Sequence, residues 1–203
     1  MYHLWHQTPV GDLTNGVSDP VIHVMKYVVP FVFAAVPAFA QECPPVSDTA
    51  ELQAQILAEL SVAPTPADAQ VLNRQLWSIW TDAPDAAAQA LLNEGMARRS
   101  SYDFLGSREV LGRLVDYCPD YAEGYNQRAF TNYLARDFEA ALVDLDITLD
   151  IVPAHLGALS GKALTLMGLE RFDEAQEVLR TAVALNPWMS ERALLTEPIG
   201  TDL

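Results

Sequence analysis

Apolar residues recur along most of this chain at helical spacing, and the helices they predict fall into a longer register. In "ERFDEAQEVLRTAVALNP", Glu170 to Pro187, the residues Phe172, Ala175, Leu179 and Ala182 lie three or four apart and mark one face of a helix. A shift of 34 residues superimposes this stretch on "RDFEAALVDLDITLDIVP" from Arg136, and a second shift on "YDFLGSREVLGRLVDYCP" from Tyr102. Phe104, Phe138 and Phe172 coincide, as do Ser107, Ala141 and Ala175, then Leu111, Leu145 and Leu179. Leu114, Thr148 and Ala182 follow, and Pro119, Pro153 and Pro187 close each unit. Upstream, Leu91, Tyr125 and Leu159 align, and so do Gly95, Ala129 and Ala163. A lone amphipathic helix repeats every 3.6 residues and has no such register.

Each unit reads as two antiparallel helices. The first helices are expected near 87–100, 121–134 and 155–168, and the second near 104–117, 138–151 and 172–185. The small pairs Gly95 with Ser107, Ala129 with Ala141 and Ala163 with Ala175 let backbones approach, and the phenylalanines fill the wedge where the next pair arrives. Asp103 and Asp137 suit N-cap positions, whereas Arg171 does not. Proline ends each unit because it cannot continue a helix.

These residues resemble the tetratricopeptide repeat family in period and in their small, aromatic and proline positions. The resemblance implies an all-α fold: an α-solenoid of antiparallel helix pairs with a 34-residue period, three clear repeats plus capping helices. The repeats would occupy 88–121, 122–155 and 156–189. Residues 41–87 carry helical stripes through Leu52, Ile56, Leu57 and Leu60, and through Leu72, Leu76, Trp77, Ile79 and Trp80. They read as a degenerate fourth unit or an N-terminal capping hairpin, with both tryptophans facing the first repeat. Residues 190–203 would give a C-terminal cap helix and a tail. Arg128 and Lys162 depart from the family's aliphatic pattern and are expected to pack their stems with charged heads in water. Thr148 replaces a small apolar residue.

The family is a scaffold that binds partners, so the resemblance implies a protein or peptide partner in the concave groove. Carried over by position, the inward residues are Asn93, Met96 and Arg99, then Asn126, Gln127, Phe130 and Tyr133, then Ser160, Leu164 and Met167. The amides would pair with a peptide backbone, and the methionines would re-pack around it. With Arg99 as its one cation, this set lacks a basic clamp for a C-terminal carboxylate. The alternative is a groove filled by the chain's own tail or left unused.

The N-terminal residues change the compartment. In "MKYVVPFVFAAVPAFAQE" from Met25, Lys26 precedes an apolar core, and Ala38-Phe39-Ala40 supplies a small-x-small site. Residues 25–40 are therefore expected to be a signal peptide cleaved after Ala40, giving a secreted, periplasmic protein without stable membrane insertion. Residues 1–24 then form an extension ahead of the true start at Met25; otherwise Met1 is the start and Val21 to Ala40 remains as an anchor. Export makes a Cys43–Cys118 disulfide possible, the alternative being two separate thiols.

Chemistry finds little support. The net charge of −15, from 12 basic and 27 acidic residues, argues against a nucleic-acid partner. His3 and His6 lie in the extension; Asp144, Asp146 and Asp150 sit mid-helix, where no calcium loop forms, and Asp146 with Asp150, four apart, reads as a solvated face. His155 stands alone at an inter-repeat corner. Neither a catalytic triad, a phosphate loop nor a zinc motif occurs, so no enzyme, metal or cofactor is expected. The expected function is an adaptor, with a substrate-holding chaperone or an accessory subunit of a cell-envelope enzyme as alternatives.

Overall fold

A computed structural model of the chain describes residues 42–196. The proposed extension at 1–24 with its His3 and His6, the leader at 25–40 and the tail from 197 onward lie outside the described residues. The helices are α1 (Ala50–Ser61), α2 (Pro66–Trp80), α3 (Ala86–Ser100), α4 (Phe104–Tyr117), α5 (Ala122–Leu134), α6 (Phe138–Ile151), α7 (Leu156–Gly168) and α8 (Phe172–Leu185). A 3-10 helix, Ser190–Leu194, follows, and no strand occurs among the described residues. The fold is all-α, and α3 to α8 form three stacked antiparallel pairs.

Sequence register explains the stacking. Gly95, Ser107, Ala129, Ala141, Ala163 and Ala175 are fully buried where paired helices touch. An added Cβ at Gly95 would lie 2.5 Å from Leu111 Cγ, so glycine is what lets α3 and α4 meet. Leu111, Leu145 and Leu179 are buried at the same step of each repeat, each in its own apolar cluster. Asp103 and Asp137 cap α4 and α6, accepting from the Gly106 and Ala140 amides at 2.9 and 3.4 Å. Phe138 packs against Gly168 of the next pair, where an added Cβ would stand 2.8 Å from the ring. Phe172 is 59% exposed, and among the described residues no further pair follows it.

One repeating feature escaped the sequence. Tyr102, Arg136 and Glu170, spaced by the repeat, hold φ of 63°, 62° and 61° between the helices of each pair. They end α3, α5 and α7 in Schellman-type caps, with the amides of Asp103, Asp137 and Arg171 donating back to the carbonyls of Arg98, Asn132 and Leu166.

The N-terminal hairpin differs from a fourth repeat stacked on the first. Ile56, Leu57, Leu60, Leu76 and Trp80 pack against Leu156, Ala154 and Leu185, at the start of α7 and the end of α8. The outer face of α3 is exposed and offers a hairpin only the small or polar Ala90, Asn93, Glu94 and Ala97. Polar bonds fasten the hairpin: Tyr121 Oη donates to the Trp80 carbonyl at 2.7 Å, and Trp188 Nε1 to the Ala63 carbonyl at 2.8 Å. Cys43 and Cys118 are joined in a disulfide, Cα to Cα 5.2 Å, which ties the segment before α1 to the end of α4.

The expected C-terminal cap helix is a single 3-10 turn, too short to nucleate an α-helix. Gln176 fastens the end of this turn, donating to the Leu194 carbonyl and accepting from the Thr196 amide, each at 3.0 Å.

Candidate functional site

The first helix of each pair faces inward, and α2 of the hairpin lies beside them. Between them is a cavity of about 260 Å³ whose walls include Arg99, Asn126, Gln127, Phe130, Tyr133, Ser160 and Leu164. Three of the inward residues expected from sequence stand elsewhere. Asn93 is exposed and accepts from Gln89 at 3.1 Å. Met96 and Met167, both partly buried, pack against the apolar clusters of the first and third pairs and do not line the cavity.

The wall also contains Trp77 from α2, Glu191 from the 3-10 turn, and Leu145 and Thr165. Trp77 does not face the first repeat; it is 44% exposed at the cavity, while Trp80 is buried on the third. The sequence held a signal for this. Leu72, Leu76 and Trp80 recur four apart and define the buried stripe of α2, which leaves Trp77 on its flank.

Behind the cavity wall, polar groups gather on Glu123, a carboxylate 1% exposed. Asn126 Nδ2 donates to it at 3.0 Å, Gln127 Nε2 donates to its other oxygen, and His155 Nε2 lies 2.9 Å away. His155 caps α7, its Nδ1 accepting from the Ala158 amide at 3.1 Å, which leaves Nε2 to carry the proton toward Glu123. The imidazole stacks on Trp80, centroids 3.9 Å apart. Arg99 Nη1 donates to Gln127 Oε1 at 2.5 Å and to the Gln127 carbonyl, and its guanidinium lies 4.5 Å from the Phe130 centroid. Burial holds the Arg99 pKa below the ordinary arginine value, with the charge of Glu123 opposing that shift.

This corrects the reading of the amides. Asn126 Nδ2 and Gln127 Nε2 each commit one hydrogen to Glu123, and Gln127 Oε1 is taken by Arg99, so the amides also serve the interior. Two further expectations also change. Arg128 grips the buried Asp144 with two bonds of 2.9 and 2.6 Å, and Lys162 meets Asp146 at 2.6 Å. Both heads are paired, that of Lys162 with a half-exposed carboxylate and that of Arg128 with Asp144, a buried counter-ion. Thr148 is buried, its hydroxyl donating to the Asp144 carbonyl at 2.8 Å. Among the described residues no group of three or more His, Cys, Asp or Glu is placed to hold a metal, and no helix is long and apolar enough to cross a membrane.

Three stacked repeats of one helix pair, with small residues at each crossing and an inward concave face, give the chain the fold of tetratricopeptide-repeat domains. No family model matches the chain. A TPR repeat-containing protein of Rhizobium etli is 29% identical over 144 residues, covering 63% of this chain and 68% of that protein. Among solved structures, the first TPR domain of Spaghetti (RPAP3) bound to an HSP90 peptide is similar, with a TM-score of 0.51 at 17% identity over 52% of this chain and 83% of that one. The TPR domain of Arabidopsis OM64 gives a TM-score of 0.50 at 19% identity, over 51% of this chain and 86% of that one.

Proposed function

We propose that this protein is an exported, non-catalytic adaptor that holds a protein or peptide partner against its inner face. The observation that carries the reading is the cavity itself, where Trp77, Phe130, Tyr133 and Leu164 present apolar surface inside a ring of polar groups. A protein of the same fold is seen with a peptide bound. Non-catalysis is supported by the engagement of Glu123 and His155 with each other and with structural amides, which leaves neither poised toward the cavity. Export is supported by the leader-like sequence from Met25 and by the disulfide, since such bonds persist in oxidising compartments.

The test places a photo-crosslinking amino acid at Tyr133, with Arg180 on the exposed face of α8 as control. One discrete protein adduct at Tyr133, absent at Arg180, is expected in the native host. Many adducts at Tyr133 would favour a substrate-holding chaperone, and none beyond the control would overturn binding at this face.

A further inference from the structure

Beyond that reading, we infer that the recess between α2 and the end of the third repeat is a second binding site, whose ligand is an uncharged oligosaccharide. The recess measures about 720 Å³, within the ~300–1,000 Å³ usual for small-ligand sites. All three tryptophans among the described residues, Trp77, Trp80 and Trp188, line it. Trp80 is nearly buried, while Trp77 and Trp188 are 44% and 42% exposed. Tryptophan is highly buried on average, yet here two indoles from distant parts of the chain, α2 and the turn after α8, meet water at one place. The N–H of Trp80 donates to Gln53 Oε1 and that of Trp188 to the Ala63 carbonyl, each at 2.8 Å. Both rings are thereby pinned by one edge, and Trp188 turns ring carbon rather than its N–H toward the recess. A platform fixed before binding loses little freedom when a ligand arrives.

The remaining wall selects the chemistry. Gln70, Asn73, Arg74 and Trp77 stand at i, i+3, i+4 and i+7, so they share one face of α2, beside its apolar stripe of Leu72, Leu76 and Trp80. Ser160 of α7 and Ser190 stand in the same wall. Amides and hydroxyls both donate and accept, as sugar hydroxyls do, and the side chains of Gln70, Arg74 and Ser160 have no hydrogen-bond partner among the described residues. A pyranose carries its hydroxyls at the rim and C–H groups on its faces, and those C–H groups are attracted to the negative face of an indole. Indoles set among amides therefore match a sugar at both face and rim. Charge favours a neutral ligand. Arg74 and Glu191 balance in this recess, whereas the recess of about 600 Å³ beside α1 is lined by Asp82, Asp120 and Glu123, with no lysine or arginine among the described residues. The recess adjoins the cavity of the proposed partner site and shares Trp77 and Ser160 with it, but Gln70, Asn73 and Trp188 belong to the recess.

The test exposes the full chain, after any cleavage, to an array of immobilised neutral and anionic glycans. Retention on neutral glycans is expected, with a saturable change in tryptophan emission when the best of them is titrated in solution. Trp77→Ala and Gln70→Ala, both at exposed positions, should each weaken that binding at least about fivefold without altering the helical circular dichroism. Affinity should stay within about twofold when salt is raised, because no charge pair forms. Retention on anionic glycans alone, a steep loss with salt, indifference to both substitutions, or no retention on any glycan would each overturn the inference. Gln70 lies outside the cavity at Tyr133, so a discrete Tyr133 crosslink that persists in Gln70→Ala would keep the adaptor reading standing whichever result the glycans give.

Discussion

The three repeats and the N-terminal hairpin are both pairs of antiparallel helices, yet they are held in different ways. Each repeat meets its neighbour through a ladder of fully buried small and branched residues, so its partners are close in sequence and the same contact recurs at every step. The hairpin's partners are distant. It rests one apolar cluster on Leu156 and Leu185, and adds the Tyr121–Trp80 and Trp188–Ala63 bonds and one disulfide. A periodic core is robust because every step repeats the same contact; a strap across it depends on a few points of attachment. That dependence bears on function, because α2 contributes Trp77 to the cavity wall.

The sharpest way to break this contrast is to make one substitution in both regions. Leu111 and Leu76 are each fully buried. Leu111→Ala should cost about 2–5 kcal/mol and lower protection from hydrogen exchange throughout α3 to α6. Leu76→Ala removes the same atoms but should expose chiefly the amides of α1 and α2, leaving the repeats protected. If Leu76→Ala unfolds the repeats in the same transition, the hairpin is part of their core and the distinction fails.

Next in size is the disulfide. Cys43 and Cys118 are 75 residues apart, and closing a loop of that length stabilises by about 4 kcal/mol in the chain-entropy view. The double variant Cys43→Ala, Cys118→Ala should therefore lower the denaturant midpoint, with exchange rising first in the segment before α1. A uniform rise across all eight helices would show that the bond stabilises the whole solenoid rather than the strap.

Legibility in the sequence divides along the same line. The repeat helices could be read because Gly95, Ser107 and their counterparts must be small wherever two backbones cross, and that demand recurs at a fixed period. The hairpin's helices were legible from their stripes, but its docking place was not. Periodicity says which face of α2 is apolar and nothing of which distant residue covers it. Seven of the ten inward residues do meet at the cavity, because position in the repeat determines direction. Whether Asn126 and Gln127 are free was hidden, since it depends on Glu123 being buried beside them. Arg128 opposite Asp144 was a missed pairing across two helices of one repeat, sixteen positions apart.

A smaller effect tests one attachment point alone. Burial pushes the Tyr121 phenol above its ordinary pKa, and the charges of Glu123 and Asp82 add to the shift. Because the folded value lies above the unfolded one near 10, the folded state retains the proton longer. Its contribution to stability is complete below about pH 10 and is lost as pH rises from there toward the folded value. Tyr121→Phe should cost about 1 kcal/mol at neutral pH by removing the bond to Trp80, and should flatten the alkaline loss. Denaturant midpoints of both proteins from neutral pH upward would decide it; parallel alkaline slopes would mean that another group dominates.

The smallest expected effect has the opposite sign and belongs to the repeats alone. Tyr102, Arg136 and Glu170 sit in the left-handed region without being glycine, a conformation that costs an ordinary residue about 1–2 kcal/mol. Arg136 lies over the Phe138 ring, and Tyr102 meets Phe104, so those two side chains have local contacts to lose. Glu170 is exposed and is the cleanest site. Glycine there relieves the strain but adds freedom to the unfolded chain, so Glu170→Gly should stabilise by about 0.5–1 kcal/mol. The gain should appear as a higher denaturant midpoint with an unchanged slope, and as slower exchange in α7 and α8. A loss of stability would mean that the Glu170 side chain contributes more than its backbone costs, and the turn would then owe its stability to side-chain contacts rather than to the Schellman hydrogen bonds.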